Sequence, residues 1–162
     1  MSYNHKTDWY YEGNISSTLV NYFSKKGFKI IKDNSENIRA KGEDIIIENE
    51  KHLVVIEVKG YPTCHHTKGL KKGEPKVTKP NHQAKHWFNE VIMSSILNYK
   101  KQSEISNLKL AIGLPKFKVY EELVKNIEWY FSNNKLEFIV FFVDENSKVE
   151  EINLYKKINN PI

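Results

Sequence analysis

Asp44-Ile45-Ile46-Ile47-Glu48-Asn49-Glu50-Lys51-His52-Leu53-Val54-Val55-Ile56-Glu57-Val58-Lys59 is two runs of β-branched and apolar residues parted by four polar ones. Runs of that composition on either side of a short polar break predict a hairpin, with strands over Asp44–Glu48 and Leu53–Lys59. A four-residue loop, 49–52, pairs Glu48 with Leu53, so facing residues have numbers that sum to 101. The same register sets Asp44 opposite Glu57. Directly opposed residues project from one face with Cβ atoms about 4.5 to 5.5 Å apart, and like charges so placed oppose the pairing. A divalent cation held by both carboxylates would relieve them. Lys59, two residues beyond Glu57 and on the same face, adds a positive charge beside the pair. A slip of one residue would separate the two acids onto opposite faces.

Outward from the hairpin, the periodicities alternate between helical and extended. Ile15, Leu19, Tyr22 and Phe23 fall at helical spacing, with Ser16 and Ser17 as capping hydroxyls and Gly27 at the far end, which predicts a helix over 13–26. Phe28–Ile31 reads as a short strand, followed by a polar, turn-rich stretch to Gly42. Ala84, Trp87, Phe88, Val91, Ile92, Ser95, Ile96 and Tyr99 mark one face of a long second helix. Leu108–Leu114 is a strand, and Tyr120, Leu123, Val124, Ile127, Tyr130 and Phe131 mark a third helix. Leu136–Val143 is an apolar strand of the kind buried on both faces, and Val149–Tyr155 adds an edge strand. The order α, β, β, β, α, β, α, β predicts an α/β fold: a mixed central β-sheet flanked by helices on both faces. With 162 residues and no repeat or long linker, the whole chain, 1–162, is expected to be one domain.

The chain is 40% hydrophobic and 28% charged, which places it among folded rather than disordered sequences. The longest apolar run, Phe138–Val143, is far short of the roughly 20 residues of a spanning helix. The N-terminus carries no apolar secretory stretch, and the single cysteine, Cys64, has no partner within the chain; a cytoplasmic setting with no membrane partner is the expectation. Four of the five net positive charges fall within Tyr61–Pro80, where Lys68, Lys71, Lys72, Lys76 and Lys79 face one acid, Glu74. A basic loop beside a carboxylate cluster suits a polyanion, although a solvated lysine-rich loop is the plainer reading. Arg39 is the only arginine, and guanine edges are most often read by arginine, so contact with a phosphate backbone is expected rather than sequence reading.

Asp44 followed by Glu57-Val58-Lys59 at the end of an apolar strand resembles the motif of the PD-(D/E)XK, or restriction-endonuclease-like, nuclease superfamily. The predicted order through Leu114 is similar to that family's αβββαβ core. Trp9-Tyr10-Tyr11-Glu12-Gly13-Asn14, Lys59-Gly60-Tyr61-Pro62 and Gln83-Ala84-Lys85-His86-Trp87-Phe88 look like a small bacterial branch of it. The resemblance implies a metal-dependent deoxyribonuclease, most simply an endonuclease, with DNA favoured over RNA as partner. It implies Asp44, Glu57 and Lys59 as catalytic residues, with Glu12 on the first helix and Gln83 on the helix after the motif as additions. Mg²⁺, or Mn²⁺ in its place, would be held by Asp44, Glu57, the Val58 carbonyl and Glu12. Glu43 stands where the family name has proline, and Trp87 stands where some exonuclease members have tyrosine.

Read without the family, Glu12 lies three and seven residues before Ile15 and Leu19, so it points inward if the helix reaches it, or sits in a surface turn if Gly13 interrupts the helix. Gln83 flanks the site or simply starts its helix. His82 and His86, four apart, are candidate nucleic-acid contacts together with the five lysines, or solvated surface residues. Cys64-His65-His66 lacks the second ligand pair that structural zinc needs. Two rival functions stay open: a catalytically silent nucleic-acid-binding or interaction module of the same fold, and a nuclease resolving branched DNA. Oligomeric state, including a homodimer, is open as well.

Overall fold

Asn49 turns the central hairpin by itself: its Oδ1 accepts the Lys51 and His52 N–H groups at 2.9 and 2.8 Å, while its own N–H donates to the His52 carbonyl at 2.9 Å. That local loop fixes the register of β2 (Ile45–Glu48) on β3 (Leu53–Val58), with Glu48 opposite Leu53 and Ile45 opposite Ile56 as the sequence predicts. The computed structural model describes residues 4–36, 42–67, 69–102, 104–105, 107–133 and 137–155. After a single turn of 3-10 helix, His5–Thr7, come α1 (Glu12–Lys25), β1 (Lys29–Asp33), the hairpin, α2 (Pro80–Gln102), β4 (Leu108–Pro115), α3 (Lys118–Asn133), β5 (Phe138–Val143) and β6 (Val149–Asn153).

The strands form one six-stranded mixed sheet in chain order, β1 to β6. β1, β2 and β3 are antiparallel neighbours, β3, β4 and β5 are parallel, and β6 returns antiparallel on β5. Parallel neighbours need a crossover, and α2 and α3 supply the two. Strand alternation splits the core. Ile45, Ile47, Val54, Ile56 and Val58 pack with Ile15, Leu19 and Phe23 of α1 on one face. Leu110, Ile112, Leu114, Val140 and Phe142 pack with Ala84, Phe88 and Val91 of α2 and Tyr120 of α3 on the other. Each fully buried aliphatic side chain in these layers contributes about 1.5 to 3 kcal/mol relative to exposure.

The helices differ in detail from expectation. α1 starts at Glu12, and its N-cap, Tyr11, makes no side-chain cap; Ser16, expected as a capping hydroxyl, lies buried inside the helix. Its other end follows expectation. Gly27, at φ +82°, donates to the Ser24 carbonyl and Phe28 to the Phe23 carbonyl, the paired bonds of a glycine-terminated helix. In α2 the predicted apolar face holds at Ala84, Phe88, Val91 and Ser95 but not beyond. Ile96 and Tyr99 are each 42% exposed, and Asn98 is buried in their place, because it has a partner on β3. No helix among the described residues is long and apolar enough to cross a membrane.

Candidate active site

The C-terminal end of β3 is where three separate parts of the chain bring acidic side chains together. By strand alternation Glu57 faces α2 while Ile56 and Val58 face α1. Glu57 is 9% exposed, and Asn98 of α2 donates to its Oε1 at 2.6 Å. Asp44 sits one residue before β2, outside the ladder rather than in it, and its Oδ2 accepts the Val58 N–H at 2.8 Å. One oxygen of each acid is thus committed to a hydrogen bond within the fold, which leaves Oδ1 of Asp44 and Oε2 of Glu57 as acceptors.

Glu12 arrives from the other side of the sheet edge, at the first residue of α1. The close approach depends on Gly60: a Cβ there would lie 2.7 Å from both the Glu12 nitrogen and the Tyr10 carbonyl oxygen. The Tyr61 N–H donates to that Tyr10 carbonyl at 3.0 Å, and the buried Tyr120 hydroxyl donates to the Gly60 carbonyl at 2.9 Å. Phe117 stacks on Tyr61 at 4.0 Å and on Trp9 at 5.1 Å, clamping the segment before α1 against the end of β3. The inward reading of Glu12 therefore holds, and Gly13 lies within the helix. Lys59 sits between the helices, its Nζ 3.9 Å from Glu12 Oε2 and 3.5 Å from Glu90 Oε2 of α2.

The electrostatics show a site short of positive charge. Burial, then Asp44, pushes the Glu57 carboxyl up to about 7 against the relief from Asn98. Burial pushes Glu12 up to about 7 as well, with Lys59 and the Gly60 N–H opposing and Asp44 and Glu90 adding to the rise. Asp44 is raised by burial despite the Val58 N–H, Lys59 and Lys32. Three desolvated acids share chiefly one lysine, and a buried negative charge without a partner is costly. A bound cation is the chemistry that such a donor set fits. Among the described residues no group of three or more His, Cys, Asp and Glu side chains is close enough together to ligate one ion, so the protein would supply two carboxylates and solvent the rest.

The sequence matches no protein-family model, and no curated protein matches it.

The remaining candidates are placed less centrally. Gln83 is half-buried in the first turn of α2, and its Oε1 accepts the Lys76 Nζ at 3.3 Å, so it ties the basic loop to the helix. Lys71, Lys72, Lys79, His82 and His86 are exposed on the loop and on the start of α2; Lys68 lies outside the described residues. Cys64 is exposed, 3.1 Å from the His65 Nδ1. A shallow depression bordered by Lys29, Glu48 and Lys51 lies at the opposite end of the β2–β3 hairpin, away from the carboxylates. Glu90 and Asn98 escaped the sequence reading. The available signal was their polarity at helical spacing with Gln83, inside a stretch read for its apolar face.

Proposed function

We propose that the chain is a metal-dependent nuclease of the PD-(D/E)XK type that hydrolyses phosphodiester bonds of DNA as an endonuclease, with a restriction-endonuclease-like αβββαβ core spanning α1 to β4. The observation that carries the reading is the meeting of Asp44, Glu57 and Glu12 with Lys59 at one strand end, under desolvation that none of the acids can offset alone. Asp44 and Glu57, with the Val58 carbonyl and solvent, would hold Mg²⁺ or Mn²⁺, and Glu12 would meet the ion through one of its waters. Bound there, the ion would polarise the scissile phosphate and make its water more acidic.

The chain's own groups divide the remaining work. Val58 and Asn98 orient Asp44 and Glu57 by direct donation to one oxygen of each, which leaves the other as an acceptor. Lys59, held between Glu12 and Glu90, would set its amine beside the acids and favour the ionised form of an attacking water. Lys71, Lys72 and Lys79, with His82 and His86 on the first turns of α2, present exposed donors to a phosphate backbone on the side of the sheet where β3 ends.

Purified protein incubated with Mg²⁺ or Mn²⁺ on supercoiled, linear, nicked, single-stranded and four-way-junction DNA tests the reading. Cutting that needs the metal and is lost in Asp44→Asn and Lys59→Ala supports it. DNA binding indifferent to chelator, with no cutting of any form, identifies the silent module instead. Cutting confined to the junction identifies a resolving nuclease.

A further inference from the structure

Between Cys64 and Lys76 the chain leaves the end of β3 as a narrow finger. Its stem is held by backbone bonds from Lys76 N–H to the Cys64 carbonyl, His66 N–H to the Glu74 carbonyl and Gly73 N–H to the His66 carbonyl, at 2.7, 2.9 and 2.8 Å. An antiparallel bridge joins His65 and Pro75. The tip is two overlapping turns, closed by Lys72 N–H on the Gly69 carbonyl at 3.2 Å and Glu74 N–H on the Lys71 carbonyl at 2.9 Å. Gly69 and Gly73, at φ +74° and +91°, take the left-handed conformations this path needs. The first turn carries Leu70 at its leading corner with the side chain 107% exposed, beside exposed Lys71 and Lys72. Turn corners favour Gly, Pro, Asn, Asp and Ser, so a leucine that packs on nothing in its own chain needs a use.

We infer that Leu70 is a wedge that enters between stacked bases of DNA held at the carboxylate site, with Lys71 and Lys72 on the flanking phosphates. The inference rests on the nuclease reading and narrows its substrate class. Apolar side chains inserted at a base step unstack it and kink the duplex, and they are delivered by segments whose cations hold the backbone on either side. A protein partner would call for a wider apolar patch with few lysines around it, whereas here Leu70 adjoins Lys71 and Lys72, and the other exposed large apolar residue of the loop, Val77, lies past the stem between Lys76 and Lys79. The finger is anchored relative to the site: Lys76 Nζ reaches Gln83 in the first turn of α2, and Glu90 of the same helix meets Lys59. Duplexes whose stacking is already weakened beside the cut, by a nick, mismatch or branch, are then the preferred substrates.

The test is equilibrium binding in chelator to duplexes carrying a fluorescent adenine analogue at successive steps, with wild type, Leu70→Met and Leu70→Ser. Wild type and Leu70→Met should raise the fluorescence at one step, and Leu70→Ser should lose that rise while its affinity falls with added salt along the wild-type slope. Because Leu70 is wholly exposed, neither variant perturbs the fold. Equal fluorescence in wild type and Leu70→Ser, in a protein that binds and cuts DNA, overturns the wedge alone. Wild type that binds no DNA overturns the wedge together with the function. A Leu70-dependent protein complex, with no Leu70 effect on DNA, assigns the finger to a protein partner and overturns the wedge.

Discussion

The Asp44 carboxylate substitutes for a backbone acceptor at the end of the β2–β3 ladder: its Oδ2 takes the N–H of Val58, itself 2% exposed, at 2.8 Å. The same side chain thus closes the sheet with one oxygen and leaves Oδ1 as an acceptor. Structure and chemistry are separable by substitution. Asp44→Asn keeps an acceptor for Val58, so its melting temperature should stay near wild type. Asp44→Ala leaves a buried N–H unpaired, which costs about 1 to 3 kcal/mol. Both should lose at least about a hundredfold in metal-dependent DNA cleavage, the scale of removing one charge-stabilising group. Full activity in Asp44→Asn would take the residue out of the site.

The raised carboxyls make stability depend on pH in an unusual direction. Glu12 and Glu57 go from an ordinary 4.5 to about 7 on folding, so between those values the native state binds protons that the unfolded chain has released. Unfolding free energy then falls as pH rises through that window, by up to about 3 kcal/mol per group. Without metal, wild type should resist denaturant better near pH 5 than near pH 8. Glu57→Gln should flatten that slope and exceed wild type near pH 8 while abolishing cleavage. Added Mg²⁺ should stabilise wild type on the alkaline side and have little effect on the acidic side. Identical pH slopes for the two proteins would remove Glu57 as the cause.

Asn98 reaches the site through Glu57, whose Oε1 accepts its amide N–H at 2.6 Å. Its amide favours the ionised carboxylate, so Asn98→Ala should raise the Glu57 proton affinity further and weaken the hold on a cation. The concentration of Mg²⁺ giving half-maximal cleavage should rise by about tenfold or more, as happens when a group orienting a metal ligand is lost. The maximal rate at saturating Mg²⁺ should recover, and a rate that stays low would mean that Asn98 matters for something other than metal affinity.

How far the residues alone reach is visible within this one site. The hairpin register was legible because alternation and a self-closing Asn49 loop are local, and Ile45 to Glu48 pair as those rules require. Lys59 beside Glu57 follows from strand period alone. What Asp44 binds was not legible, because it leaves the ladder and turns its carboxylate to the Val58 backbone. Asn98 and Glu90 depend on where α2 lies after a crossover, a long-range placement that helix periodicity leaves free. The apolar face read through Ile96 and Tyr99 went astray for the same reason: a buried acid on β3 recruits a polar residue that periodicity assigns to the surface.

Binding should report the basic loop through salt. Lys71 and Lys72 are exposed, so replacing either by alanine should leave the fold intact and reduce the slope of log affinity against log salt concentration by roughly one. The loss should be similar on DNAs of different sequence, since a phosphate contact reads no base. An unchanged slope in the double variant would show that the loop does not touch DNA.

Gly60→Ala inverts the usual sign of a glycine replacement. Where the backbone tolerates a side chain, alanine stabilises by about 0.4 to 1 kcal/mol through the unfolded chain. At Gly60 the new methyl would lie 2.7 Å from two backbone atoms, Glu12 N and Tyr10 O, neither of which can rotate away. The segment before α1 must shift, which loosens the Tyr61 N–H bond to Tyr10 and draws Glu12 away from Lys59. Forced contacts of this kind cost about 1 to 3 kcal/mol, so the melting temperature should fall. Cleavage measured well below that temperature should fall as well, because the displaced acid is part of the site. Gly60→Ala with wild-type melting and wild-type cleavage would show that Glu12 owes nothing to this approach.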